Sequence, residues 1–221
     1  MSGFLSSSIG KKVIMSLTGL FLVVFLCVHL FVNLLTLVDA DGSTFNTVAH
    51  FMGTNSIMSV MQWVLGAGFV FHMLYATILT LKNRMARPVK YEVSTNSDTS
   101  WSSQNMFISG ATVLAFLVLH LINYFYKIKF TELIESGQMS EFDLVTGIFQ
   151  PQYWYFGVIY IISFILLGLH LNHSFQSSFQ TLGLNNTSWL PRLKFIGTLY
   201  AIVIAVGFSI IPIFFLMKAL L

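Results

Sequence analysis

The sequence predicts an all-α integral membrane bundle of five transmembrane helices with the N-terminus in the cytoplasm. Three observations predict it. The chain is 56% hydrophobic and only 9% charged, about a third of the charge of an ordinary soluble domain. Its apolar residues gather into five stretches long enough to cross a bilayer, roughly 20 residues each. Its basic residues fall mostly on one side of those stretches.

The five stretches are expected at about 13–38, 57–81, 106–126, 153–177 and 195–217. Mean hydropathy is +0.79, and the connections left over are short, so residues 1–221 read as a single membrane domain. The first stretch is too long for a secretory core region and ends in no small-residue cleavage site, so it reads as a span. The second is followed by the longest connection, 83–104, which is polar and broken by Pro88. The fourth and fifth open on "FQPQYWYF" and "SWLPRLKF", aromatic belts with Pro151 and Pro191 at the helix starts. Cys27 is the one cysteine. It permits no internal disulfide, and no C-x-x-C or C-x-x-C-H occurs, which argues against iron–sulfur or covalent haem attachment to this chain. In its apolar context it reads as a small packing residue.

With five spans, eight of the eleven basic residues fall on the N-terminal side: Lys11, Lys12, Lys82, Arg84, Arg87, Lys90, Arg192 and Lys194. The other side keeps Lys127, Lys129 and Lys218. The positive-inside rule therefore places the N-terminus in the cytoplasm. Such a basic face suits anionic lipid headgroups or a docked soluble partner, although topogenic charge alone accounts for it. No nucleic-acid partner is expected.

Five of the six histidines lie inside these apolar stretches: His29, His72, His120, and His170 with His173. Ionisable side chains in lipid usually face a protein interior and carry function. At a rise of 1.5 Å per residue, His29 and His120 lie about 5 Å outside the membrane midplane. His72 and His170 lie about 5–7 Å inside it. The four thus form two pairs at two depths. Two facing imidazoles can supply both axial ligands of a haem, and bundle cores are where such cofactors sit. Gly66, Gly68, Ala76, Gly110, Ala111, Gly168 and Ser174 lie near these positions; small residues let a flat macrocycle approach, and also serve ordinary helix packing in lipid. A zinc site would want H-x-x-x-H or H-E-x-x-H on one helix, and neither occurs. A proton relay would want buried acids, which the spans essentially lack.

The stretches "HLFVN" at His29, "FNTVAHFM" at 45–52, "HMLYATI" at His72, the third-span His120 and "HLNHSFQSSFQTLGL" from His170 resemble the five-helix, di-haem cytochrome b membrane anchor of succinate dehydrogenases and quinol:fumarate reductases. The likeness covers nearly the whole chain. It implies that His29 with His120 ligate an outer haem b and His72 with His170 an inner one, the pairing that depth also indicates. The family often has glycine four residues after the second- and fourth-span ligands, where this chain has Ala76 and Ser174. Counted from His170, Ser177 and Gly183 fall where the family has a serine and a glycine, which favours His170 over His173 as ligand.

The resemblance implies further that the chain docks a flavoprotein carrying FAD and an iron–sulfur subunit on its cytoplasmic face. Electrons would pass between those clusters and a membrane quinone, with menaquinone expected. A bacterial cytoplasmic (inner) membrane and a dimer of heterotrimers belong to the same expectation. For the quinone site, placed by the family near the outer haem, the polar candidates are Asn33, His50, Asn55 and Gln62. His50 stands out because a loop imidazole can exchange a quinone proton near neutral pH. Lys82, Arg84 and Arg192 are positioned to meet inner-haem propionates. The alternatives are a di-haem anchor of another quinone-linked dehydrogenase, a six-helix ascorbate-type reductase, and a non-haem transporter or scaffold using histidines as polar glue.

Overall fold

Inside lipid the backbone has no hydrogen-bond partner but itself, so apolar stretches of this length fold as unbroken helices. The computed structural model describes residues 7–85 and 105–220, and among these there are helices and turns but no strands. The polar connection expected after the second span, with Arg87, Pro88 and Lys90, lies outside the described residues from 86 to 104, as does the side chain of Arg84.

Helix α1 (Ser8–Leu34) is capped by Ser7, whose hydroxyl accepts from Gly10 N at 3.0 Å, and it runs on into a 3-10 turn, Leu35–Leu37. Helix α2 (Ser43–Thr54) and helix α3 (Ser56–Met85) follow. Helix α4 (Met106–His120) passes through a π-helical turn, Leu121–Phe125, into the short α5 (Tyr126–Phe130). Helix α6 (Glu141–Gly147) precedes a 3-10 turn at Pro151–Tyr153, then α7 (Trp154–Thr181) and α8 (Trp189–Lys218).

Five segments are long and apolar enough to cross a membrane: Ser8–Leu37, Ser56–Asn83, Met106–Phe130, Pro151–Thr181 and Trp189–Lys218. They match the expected stretches and overrun most of their ends. Hydropathy marks the lipid-facing length, whereas helical hydrogen bonding continues past it into polar residues such as Lys11 and Lys12.

Helix α7 is central. It packs on α8, α1 and α4, while α3 joins the bundle chiefly through α1. The α7–α8 seam interdigitates Tyr160, Phe164, Leu167 and Leu171 with Ala201, Ile204, Phe208, Ile211 and Phe215, all buried. Their spacing of three and four residues keeps each set on one helix face. A Cβ on Gly168 would come within 3.0 Å of Ala205 Cβ and 3.3 Å of Ala201 O, so this seam uses the small-residue approach that membrane helices rely on. In their most apolar windows α7 and α8 are 33% buried and α3 is 0% buried. Helix α3 therefore turns most of its apolar surface to lipid or to a partner, as do Val60, Trp63 and Leu74.

Two connections expected as loops are helical. Asp39 organises the start of α2: its Oδ2 accepts from Thr44 N at 2.9 Å and Ser43 Oγ at 3.3 Å. Hydrogen bonding from Thr44, foremost, holds the Asp39 carboxyl below its ordinary value of 3.8. Gly42 (φ 70°) takes the left-handed turn before α2, and a Cβ there would run into the Phe142 ring. Asn46 Oδ1 accepts from Phe142 N at 2.8 Å, so α2 and α6 form one cap at the end of the bundle where α1 finishes.

Candidate functional site

The two histidine pairs lie in different surroundings. His29 on α1 and His120 at the end of α4 face each other with ring centroids 5.6 Å apart and ring planes at 84°. Two imidazoles sharing one metal, with bonds of about 2 Å each, hold their centroids roughly 6 Å apart, so this spacing fits a bis-histidine site. Both side chains are half-buried, and aromatic rings close around them. Phe25 stacks on His29 at 5.1 Å and Phe208 lies 5.6 Å from it. Phe116, Tyr124 and Tyr160 surround His120 at 5.9, 5.0 and 6.4 Å.

The π-helical turn directly after His120 adds a residue to one turn and so turns Asn123 and Tyr124 inward, where both are buried. Asn123 Nδ2 donates to Tyr160 OH at 3.0 Å, and Tyr124 OH donates to Val145 O at 3.3 Å. These polar groups are satisfied. His120 Nδ1 is not: it is buried with no hydrogen-bond partner. A buried imidazole nitrogen without a partner is uncommon, and iron bound through Nε2 would not by itself satisfy it.

His72 on α3 and His170 on α7 form the second level. Thr18 Oγ1 of α1 lies 3.1 Å from His72 Nδ1, and Ser109 Oγ of α4 lies 3.3 Å from His170 Nδ1. Of the small residues expected to face ligands, Gly110 does: a Cβ there would lie 3.4 Å from His170 Cε1. Gly66 meets nothing within 4 Å, Gly68 packs on Phe21 and Gly168 on α8. Gly19, not singled out in the sequence, takes the corresponding place, 3.5 Å from His72 Cε1. His170 lies within electrostatic reach of both His72 and His173. Thr18, Gly19 and Ser109 carried no depth signal: by the same count Thr18 and Ser109 lie about 11 Å inside the midplane, deeper than the second pair.

The quinone candidates are spread over three helices. Asn33 Nδ2 donates to His29 O at 2.7 Å, back-bonding its own helix one turn from a candidate ligand. Asn55 ends α2 and caps α3, its Oδ1 accepting from Ile57 N at 2.9 Å and Met58 N at 3.3 Å. Gln62 is half-buried on α3. His50 is exposed on α2 rather than in a loop; an amphipathic turn outside the membrane carries no hydropathy signal of its own. Arg192 lies over the Trp189 ring at 5.6 Å, and Lys82 is exposed near the end of α3. Cys27 is a free, exposed cysteine, not a packed one.

Among the described residues no group of three or more His, Cys, Asp or Glu side chains is placed to hold a metal ion; His29 and His120 are the two histidines whose rings meet. Comparison with protein-family models, with curated proteins and with solved structures finds no match.

Proposed function

We propose that this chain is the membrane-anchor and electron-transfer subunit of a succinate:quinone oxidoreductase. It would bind two b-type haems, an outer one between His29 and His120 and an inner one between His72 and His170. The observation that carries the reading is the meeting of His29 and His120 at 5.6 Å in an aromatic core, with His72 and His170 each approached by a hydroxyl from a neighbouring helix.

Haem, when bound, supplies one-electron transfer. The protein's own residues do the rest. The α1 and α4 imidazoles would hold iron at the outer level and the α3 and α7 imidazoles at the inner level. Phe25, Phe116, Phe164 and Phe208 keep water from the outer level. The basic N-terminal side, on the cytoplasmic face of a bacterial inner membrane, docks a flavoprotein with FAD and an iron–sulfur subunit. A membrane quinone, menaquinone by the resemblance, exchanges electrons near the outer haem, with His50, Asn33, Asn55 and Gln62 as its polar candidates.

The test is a reduced-minus-oxidised optical spectrum and an iron assay of the purified chain. Two haems b per chain are expected. A chain purified from haem-replete membranes without a haem b band would overturn the reading.

A further inference from the structure

Two hydroxyl residues approach the second histidine pair, and each is followed by glycine: Thr18–Gly19 on α1 and Ser109–Gly110 on α4. Thr18 Oγ1, 3.1 Å from His72 Nδ1, donates to Met15 O at 3.0 Å. Ser109 Oγ, 3.3 Å from His170 Nδ1, donates to Met106 O at 3.0 Å. A hydroxyl has one proton. With that proton on a carbonyl three residues back, each oxygen offers the imidazole only lone pairs. In that arrangement Nδ1 carries the hydrogen and donates, and in a neutral imidazole this leaves the lone pair on Nε2. The glycines lie beside the rings, where a Cβ would make ordinary van der Waals contact with Cε1, at 3.5 Å from Gly19 and 3.4 Å from Gly110. Each ring is thus held by a helix other than its own, through the same hydroxyl–glycine pair, at both members of one level.

We propose that Thr18 and Ser109 are paired positioning residues, which hold His72 and His170 as Nδ1–H tautomers and so present both Nε2 lone pairs to one iron. This rests on the haem reading above. It is specific to this level, because His120 Nδ1 has no partner among the described residues. An Nδ1–H that donates to an acceptor also makes the ligand more basic, which favours ferric over ferrous iron at this level.

The test uses membranes containing the full chain, with Thr18→Val, Ser109→Ala and Thr18→Ser, read by haem content and by potentiometric titration of the haem bands. The haem lost in His72→Ala marks the level concerned. Thr18→Val keeps the branched shape and Ser109→Ala removes one oxygen, so each reads the hydrogen bond separately from packing. Either substitution is expected to weaken retention of that haem 10- to 100-fold, the usual cost of losing such a partner, or to raise its midpoint potential. A tenfold loss of ferric preference reads as about 59 mV for one electron. Thr18→Ser should restore both values. Wild-type content and potentials in both Thr18→Val and Ser109→Ala would overturn the proposal while leaving the haem reading intact. So would an effect confined to the haem lost in His29→Ala. A wild-type chain without haem overturns both readings together.

Discussion

The His29–His120 level and the His72–His170 level solve the same problem with opposite materials. At the first, aromatic rings do the work: Phe25 and Phe208 against one imidazole, Phe116, Tyr124 and Tyr160 against the other. The rings are placed by packing alone, and one nitrogen is left without a partner. At the second, hydroxyls from neighbouring helices reach the imidazoles, and glycine rather than an aromatic ring lies against them. The difference follows from position in the bundle. The first level abuts the dense α7–α8 seam, where Phe164 and Phe208 stack at 5.2 Å. The second includes α3, the span with nothing buried in its most apolar window, so a directional bond rather than packing holds His72; His170, on the central α7, has the same kind of bond from Ser109. A hydrophobic shell orients by exclusion and tolerates rotation; a hydrogen bond fixes one atom of the ring.

The largest expected effect breaks the comparison into its two halves. His29→Ala or His120→Ala should abolish one haem and leave the other, and His72→Ala or His170→Ala should do the converse. Iron content is expected to fall toward one per chain in each case. If the double variant His29→Ala/His72→Ala still held a bis-histidine haem, the pairing would be refuted.

Phe208→Ala probes the aromatic shell. In lipid the transfer term of a large-to-small change is small, so the cost is mainly the cavity, about 2 kcal/mol for the volume of a phenyl ring. Thermal unfolding in detergent should show a lowered transition, with spectral broadening confined to the His29–His120 haem. Equal disturbance of both bands would mean that the two levels are not separately packed.

A smaller effect tests the cap above the first level. The Asp39 carboxyl is held below its ordinary value, so its ionised form is the one that the folded chain favours. Its contribution is present above the ordinary pKa of 3.8 and is lost as pH falls through the lowered value. Asp39→Asn should therefore loosen the start of α2 at neutral pH, and should leave the acid form of α2 nearly unaffected. Hydrogen exchange of the Thr44 amide at the two pH values measures this; equal protection in both chains at neutral pH would remove Asp39 from the cap.

The smallest effect is expected at His173. It shares a face of α7 with His170, yet Ser109 and Gly110 address His170. His173→Ala should retain two haems with near-normal spectra. Loss of a haem there, with retention in His170→Ala, would move the register of the second level by three residues.

Five membrane-crossing segments were legible in the sequence, and so was the presence of histidines inside them. The physical reason is that lipid is an unforgiving solvent: a spanning backbone must be helical, and a histidine within it must find a partner. Depth along a helix is also a linear quantity, so pairing His29 with His120 needed only counting, and those two rings do meet. What faces a histidine from another helix is not linear. It depends on the rotation of each helix about its axis and on which helices are neighbours, and here a π-helical turn and the central place of α7 decide both. Tertiary structure alone therefore showed that Gly19 and Gly110 face the second pair while Gly66 and Gly68 do not. It alone put Thr18 and Ser109 on Nδ1 of His72 and His170. The helices α2 and α6 were hidden for a related reason: they are fixed by contact with each other, through Asn46 and Phe142, residues nearly a hundred positions apart in the chain.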